Sequence, residues 1–158
     1  MSALTQIMLP HIAAPHAVRD GLAEERRFRT LLQSSGNLEV HYTAALDHQC
    51  AIDALVRATG APPLFPVGVQ FTLAKNAAKK RRAIERFRQT RAVPRFLYLR
   101  CAAPLTRGAL DPLRWLIHAC AASDEEHAIA SAVLVLDNDG RHVLEGIRHY
   151  PMNPLTLE

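Results

Sequence analysis

The sequence predicts an α/β domain in which a mixed β-sheet is flanked by helices. Three stretches repeat apolar residues at helical spacing, and six shorter stretches alternate or run continuously apolar, as strands do. Three of these strands come in succession before a helix and a further strand, so a helix crossover joins strands of one sheet. With 158 residues, 49% hydrophobic and 22% charged, the chain is of a size and composition for one domain with one core.

The three predicted helices span Arg19 to Ser34, Lys75 to Arg91 and Leu110 to Ala122. Each has an apolar stripe at helical spacing. In the first helix Glu25 shares a face with Phe28 and Leu32, at i+3 and i+7, which places a carboxylate on the inward face.

The six predicted strands differ in their patterns. The first alternates, the third and fourth are almost continuously apolar and are expected to be buried on both faces, and the last two form a hairpin across Asn138-Asp139-Gly140. They are Leu38 to Ala45, Cys50 to Ala58, Pro66 to Leu73, Arg95 to Cys101, Ser131 to Leu136 and His142 to Ile147. The segment Asp47-His48-Gln49 is predicted to be a turn.

The predicted organisation is a single domain over residues 1–158. An N-terminal arm (1–18) precedes a core (19–101), a C-terminal helix and hairpin (102–150) and a tail (151–158). No apolar run approaches the roughly 20 residues of a membrane span. The N-terminus lacks the basic start of a signal peptide, and three cysteines without CxxC spacing fit a reduced protein. A cytoplasmic location without membrane contact is the expectation.

Positive charge is concentrated in one segment. Lys75 to Arg100 contains ten Lys and Arg residues and one acid, Glu85, whereas the remainder has nine bases and 14 acids. Such segregation is typical of a surface for a polyanion, although a basic helix also serves to dock an acidic protein. Within the segment Lys79, Lys80, Arg82 and Arg86 are the candidate nucleic-acid-binding residues.

Polar residues interrupt two of the apolar strands. Asp53 lies in the run Ile52 to Val56, and Gln70 and Thr72 lie in the run Val67 to Leu73. Because a sheet must pair or use such buried polar groups, the pattern suggests a metal site beside the basic surface.

These residues, in this order of elements, resemble the PD-(D/E)XK nuclease superfamily, especially its Holliday-junction-resolvase-like and restriction-endonuclease-like branches. The segment Gly21 to Arg26 is similar to the family's GxxxER helix opening, Asp53 corresponds to its strand aspartate, and Gln70-Phe71-Thr72 to its (D/E/Q)-x-K motif. The resemblance covers Gly21 to Cys101 and implies a restriction-endonuclease-like core of helix, three strands, helix and strand.

The resemblance implies a Mg²⁺ site formed by Glu25, Asp53 and Gln70. Gln70 would bind through a neutral amide oxygen, which is a weaker ligand than a carboxylate. Thr72 stands where the family has a lysine, and threonine has no charge to stabilise a scissile phosphate. A lysine of the following helix, Lys75, Lys79 or Lys80, is expected to reach the same space.

The same residues also have structural interpretations. Asp53 is equally compatible with an exposed position on an edge strand or with a buried pair to Arg57 or Arg95, and Glu25 with an i+4 pair to Arg29 on the surface. Gln70 is compatible with bonding the neighbouring backbone, as buried amides usually do. Thr72 is a good strand residue and needs no role.

Three functions therefore follow from the sequence. The first is a Mg²⁺-dependent DNA endonuclease with catalytic residues Glu25, Asp53, Gln70, Thr72 and Lys75. The second is an inactive nuclease-fold module that binds nucleic acid or a protein, in a mobile-element, defence or toxin–antitoxin setting. The third is an immunity-type protein whose basic helix binds an acidic partner. A homodimer is compatible with each.

Overall fold

The computed structural model describes residues 10–60 and 64–153, with side chains from Leu22 onward in these ranges. It contains four α-helices and six strands, and a 3₁₀ turn precedes the last helix. In chain order they are α1 Pro10–Gln33, β1 Leu38–His41, α2 Ala44–Cys50, β2 Ala54–Ala58, β3 Val67–Thr72, α3 Ala77–Thr90, β4 Arg95–Cys101, the 3₁₀ turn Arg107–Ala109, α4 Leu110–Ala121, β5 Ala128–Leu136 and β6 His142–Tyr150.

All six strands form one mixed sheet in the order β1-β2-β3-β4-β5-β6. The first three are antiparallel, β3, β4 and β5 are parallel, and β6 returns antiparallel to β5. The prediction of an α/β protein with a mixed sheet is therefore confirmed. Across residues 10–60 and 64–153, none of the helices combines the length and the apolar character that a membrane crossing requires.

Helices cover both faces of the sheet. On one face α1 and α4 pack against the alternate residues Val67, Val69 and Phe71 of β3. On the other face Ile84 and Phe87 of α3 pack against β4 and β5, where the Phe87 and Phe96 rings stack with centroids 5.1 Å apart. The continuous apolar runs of β3 and β4 are buried on both faces because each lies between two helical layers.

Helix α1 begins at Pro10 and not at Arg19, so residues 10–18 of the predicted arm are helical. Proline at the first helical position costs no hydrogen bond, since the N–H at that position has no partner inside the helix. The expectation that Pro10 and Pro15 interrupt this segment is therefore wrong, since both lie within α1. The rest of the arm, residues 1–9, and the end of the predicted tail, residues 154–158, lie outside the described residues.

A second helix, α2, replaces the turn predicted at Asp47-His48-Gln49. The Thr43 hydroxyl caps it by accepting a hydrogen bond from the Leu46 N–H at 3.1 Å, and Ala51 ends it in the left-handed conformation, at φ 56°. The two neighbouring strands are correspondingly shorter than predicted, and Asp53 immediately precedes β2.

Candidate active site

The candidate site lies where β2 and β3 separate. Their last paired residues are Ala54 and Val69, but β3 continues to Thr72. Asp53 bridges the gap: its N–H donates to the Val69 carbonyl at 2.8 Å, and its Oδ2 accepts from the Phe71 N–H at 2.7 Å. The carboxylate therefore satisfies a backbone donor of β3 that β2 no longer reaches.

Burial dominates the electrostatics of Asp53. Only 7% of the residue is exposed. Desolvation raises the pKa of its carboxyl to about 7; the Phe71 N–H opposes that rise, and the charges of Glu25 and Asp47, with a hydrogen bond to Asp47, add to it. Asp53 therefore titrates near neutral pH.

Glu25 reaches the same place from α1. Its neighbours on the helix face, Phe28 and Leu32, are fully buried, whereas Glu25 is half-buried and lies at the margin of that face. Desolvation and then the charge of Asp47 raise the pKa of Glu25, and Arg29 and Lys79 lower it. Charges from three elements, α1, α2 and α3, thus act on this carboxylate.

Asp47, in α2, completes the set of acids, and sequence reasoning missed it. We call Glu25, Asp47 and Asp53 the acidic cluster. The Tyr42 hydroxyl donates to Asp47 Oδ2 at 2.9 Å, which fixes the orientation of that side chain. The available signal was an aspartate six residues before Asp53, in a segment that capping residues favour as a short helix.

Arg29 joins the acidic cluster to the backbone. It forms an ion pair with Glu25 at 3.9 Å, donates to the Asp53 carbonyl at 3.3 Å, and its guanidinium lies over the Tyr42 ring, 4.7 Å from the centroid. The structural interpretation of Glu25 as an i+4 partner of Arg29 is therefore correct. The interpretation of Asp53 as a partner of Arg95 is wrong, because the Arg95 guanidinium donates to the carbonyls of Pro94, Glu126 and Ser123.

Lys79 is the helix lysine that reaches the position of the missing strand lysine. Its Nζ donates to Thr72 Oγ1 at 3.1 Å, and its charge acts on Glu25. Lys75 is exposed, and its side chain has no hydrogen bond or ion pair within the described part of the chain. Lys80 points the other way, with its Nζ 5.8 Å from the centroid of the Tyr150 ring.

Gln70 lies two residues before Thr72 on the same face of β3 and is 6% exposed. Its Oε1 is buried and has no hydrogen-bond partner within residues 10–60 and 64–153. The expectation that this amide oxygen bonds the neighbouring backbone is wrong. An unsatisfied buried acceptor costs about 1–3 kcal/mol, so this oxygen is a candidate ligand for a cation.

The oxygen atoms of Glu25, Asp53 and Gln70 are ligands of the type that Mg²⁺ prefers. Two carboxylates and an amide oxygen are hard ligands, and Mg²⁺ usually keeps several waters, so it does not need a full protein shell. Among the described residues, no three His, Cys, Asp or Glu side chains are grouped as they are around a metal ion. Glu25, Asp47 and Asp53 therefore act on one another through their charges but are not arranged as a metal site of three acids. The ligand set that the resemblance implies, Glu25, Asp53 and Gln70, contains two acids.

The other predicted nucleic-acid-binding residues lie on the outer side of α3. Arg82 and Arg86 are exposed, and in the described part of the chain neither forms an ion pair. The single acid of the basic segment, Glu85, pairs instead with Arg88 at 3.4 Å. The positive charge of α3 is therefore largely uncompensated by carboxylates in the part of the chain that the structure describes.

No protein-family model matches the sequence, and neither a curated protein nor a solved structure was found to match it.

Proposed function

We propose that this protein is a metal-dependent nuclease related to the PD-(D/E)XK superfamily, in which Lys79 takes over the role of the missing strand lysine. The observation that supports this most directly is the hydrogen bond of 3.1 Å between Lys79 Nζ and Thr72 Oγ1. It brings an ammonium group to the motif position where the family pattern needs a positive charge. The antiparallel β1–β3 and the parallel β4 are compatible with a restriction-endonuclease-like core.

Glu25, Asp53 and Gln70 would hold the metal ion in this proposal. Bound Mg²⁺ would polarise a phosphoryl oxygen and lower the pKa of a bound water. The need for a cation is supported by the electrostatics of the two acids, since the negative charge of Glu25 contributes to the raised pKa of Asp53. A divalent cation between them would replace the proton that Asp53 otherwise holds near neutral pH.

The protein residues have separate roles around the scissile phosphate. Lys79 stabilises negative charge that develops there, and Thr72 holds the lysine in position. Arg29 orients Glu25 and shields part of its charge. Uncompensated cations of α3, including Arg82 and Arg86, bind neighbouring phosphates of the substrate strand.

The test is cleavage of linear, branched and single-stranded DNA in Mg²⁺ or Mn²⁺. Wild type is compared with Asp53→Asn and with a matched control, Asp139→Asn, which alters an exposed hairpin residue. We expect cutting by wild type and the control only with metal, and a loss of at least about 100-fold for Asp53→Asn, as for loss of a ligand or its support. Metal-dependent cutting that persists in Asp53→Asn rejects the site.

The second candidate is a catalytically inactive module of the same fold that binds nucleic acid or an acidic protein. The hydrogen bond from Phe71 N–H to Asp53 and the ion pair of Glu25 with Arg29 favour it, because both acids then have structural partners. DNA binding without cleavage in either metal, unchanged in Asp53→Asn, is the outcome expected for this candidate.

A further inference from the structure

A second polar site adjoins the acidic cluster at the carboxyl ends of the parallel strands. Gln70 pairs in register with Tyr98, and Tyr98 with Ser131, so polar residues of β3, β4 and β5 lie side by side on the face that α3 covers. Beyond them is a cavity of about 550 Å³. Cavities of about 300–1,000 Å³ are typical of small-molecule sites, and crevices at the carboxyl ends of parallel strands are where α/β sheets bind ligands.

The lining of this cavity is strongly cationic. Four bases from three elements and the loop before α3 surround it, against one acid. They are Lys75, Lys80, Arg100 and Arg148, with Glu145 as the acid. We call this site the basic pocket.

Two donors in the basic pocket lack partners. Tyr98 is 4% exposed, and neither its Oη nor the buried Nε of Arg100 has a hydrogen-bond partner within residues 10–60 and 64–153. Burial raises the pKa of Tyr98, and the neighbouring Thr72 side chain lowers it. The Thr72 hydroxyl itself accepts hydrogen bonds from Lys79 Nζ and the Ala74 N–H. Unpaired buried donors are costly, and a ligand with several acceptor oxygens would satisfy both.

The amino end of α3 also faces the basic pocket. Asn76, which caps the helix, and Ala77 line the cavity, and the first turn of this 14-residue helix contains no acid. Free N–H groups and the helix dipole at such an end favour an anion. Each of these features favours an anionic ligand that carries several oxygen atoms: the cations, the unpaired donors and the helix terminus. A phosphate group has this chemistry.

We propose that the basic pocket binds the terminal phosphate of a nucleotide. The choice of a nucleotide over another phosphate compound rests on the proposed function. Arg100 is the register partner of Thr72, so the pocket lies one to two strand spacings, roughly 5–10 Å, from the Lys79–Thr72 pair. A nucleotide at the end of a substrate strand spans a distance of this order, so a terminal phosphate in the pocket places a neighbouring phosphodiester beside the acidic cluster.

Binding by calorimetry tests the basic pocket directly and without metal. The probes are a nucleoside 5′-monophosphate, inorganic phosphate and the unphosphorylated nucleoside, followed by a short single-stranded oligonucleotide with or without a 5′-phosphate. We expect the monophosphate to bind and the nucleoside to bind at least tenfold more weakly. If the phosphorylated oligonucleotide binds more tightly than the free monophosphate, the bound phosphate belongs to a strand end. If the two bind with equal affinity, the ligand is a free nucleotide.

Tyr98→Phe removes only the unpaired hydroxyl, and Arg100→Gln removes the charge. Each is expected to weaken monophosphate binding about tenfold or more, as for loss of a hydrogen bond to a charged group. Arg57→Gln, at an exposed strand position outside the pocket, is the matched control and retains affinity. Thermal unfolding verifies that the variants fold. Equal monophosphate affinity in wild type, Tyr98→Phe and Arg100→Gln overturns the inference, as does equal affinity for the nucleoside.

Failure of this inference is separable from failure of the proposed nuclease function. Asp53→Asn is expected to lose cleavage and to keep monophosphate binding, because Asp53 does not line the basic pocket. Metal-dependent cleavage with no phosphate binding rejects only the pocket. Phosphate binding that depends on Tyr98 and Arg100, without cleavage under any condition, rejects only the nuclease.

Discussion

The carboxylate of Asp53 accepts a hydrogen bond from the Phe71 N–H at 2.7 Å and thereby extends the pairing of β3 beyond the first residue of β2. A single side chain thus completes the backbone pairing of β3 and contributes to the acidic cluster. Pairing with β3 needs only an oxygen that accepts the hydrogen bond of the Phe71 N–H. The proposed metal site needs the negative charge of the carboxylate as well. Substitution by asparagine separates the two tasks.

Asp53→Asn is expected to stabilise the protein at alkaline pH. Burial raises the pKa of Asp53 from 3.8 to about 7, so the folded state holds a proton that the unfolded chain has released. The free energy of unfolding therefore falls as pH rises from about 4 to about 7, by on the order of 2–4 kcal/mol. Asparagine keeps an oxygen for the Phe71 N–H and has no charge to bury.

Denaturant unfolding at pH 5 and pH 8 measures this effect. Wild type and the control Asp139→Asn should lose stability between these pH values, and Asp53→Asn should lose much less. A pH dependence of Asp53→Asn equal to that of wild type contradicts the assignment of the titrating group.

Lys79→Met is expected to reduce DNA cleavage about 10²–10³-fold, the usual loss when one group that stabilises transition-state charge is removed. Lys79→Arg keeps the positive charge and should retain part of the activity. The sharper test is the double variant Thr72→Lys with Lys79→Met, which moves the ammonium from the helix to the strand motif. Recovery of cleavage in the double variant supports the proposal that Lys79 replaces a lysine at position 72. A Lys79→Met protein that cleaves at the wild-type rate excludes this role for Lys79.

Neutralising Arg82 and Arg86 together is expected to weaken DNA binding and its salt dependence. Both side chains are exposed and without carboxylate partners in the described part of the chain. Each lost phosphate contact should reduce the slope of log affinity against log salt by about 1. Gel-shift titrations at several salt concentrations measure this slope. Arg57→Gln combined with Arg141→Gln is the control, and an unchanged slope in the Arg82/Arg86 variant shows that α3 does not contact the nucleic acid.

Gly68→Ala is expected to destabilise the fold by about 1–3 kcal/mol through overpacking. A Cβ at this position in the buried strand β3 would lie 2.8 Å from Val93 Cγ2 and 3.0 Å from Ile52 Cδ1. Gly36→Ala is the matched control, since a Cβ there meets nothing within 4 Å. Denaturant midpoints of the two variants give the comparison; equal midpoints mean that Val93 and Ile52 move aside at no cost.

The longer helices and strands were predictable because their apolar residues recur regularly over many positions or form an unbroken run. The bounds predicted for β4, Arg95–Cys101, match the structure, and α4 differs by one residue at its end. Helix α2 was not predictable in this way, because its seven residues include no fully buried side chain and its apolar face is short, with Leu46 and Cys50 only partly buried against the core. A short capped helix leaves its signal only in Thr43 and in the alanines that follow.

The site was predictable in its residue types but not in its geometry. Glu25, Asp53, Gln70 and Thr72 all lie near the end of the β2–β3 ladder, yet the sequence did not distinguish Lys79 from Lys75 and Lys80. That choice depends on α3 beginning at Ala77, which turns Lys79 toward Thr72 and Lys80 toward β6. Asp47 was missed for a related reason, since its position depends on the fold of α2.

The face of the sheet beneath α3 is divided along the strands. Its amino-terminal half, around Phe96 and Ile129, packs against the apolar stripe of α3, and the Tyr98 ring belongs to the same buried cluster. Toward the carboxyl ends of the strands, Gln70 Oε1, Tyr98 Oη and Arg100 Nε are buried without hydrogen-bond partners among the described residues. In the proposed binding site Tyr98 would therefore serve both tasks, since its ring packs in the core and its hydroxyl would contact the ligand. Substitutions that keep the Tyr98 ring, such as Tyr98→Phe, would change the polar groups of this face and leave the apolar cluster in place.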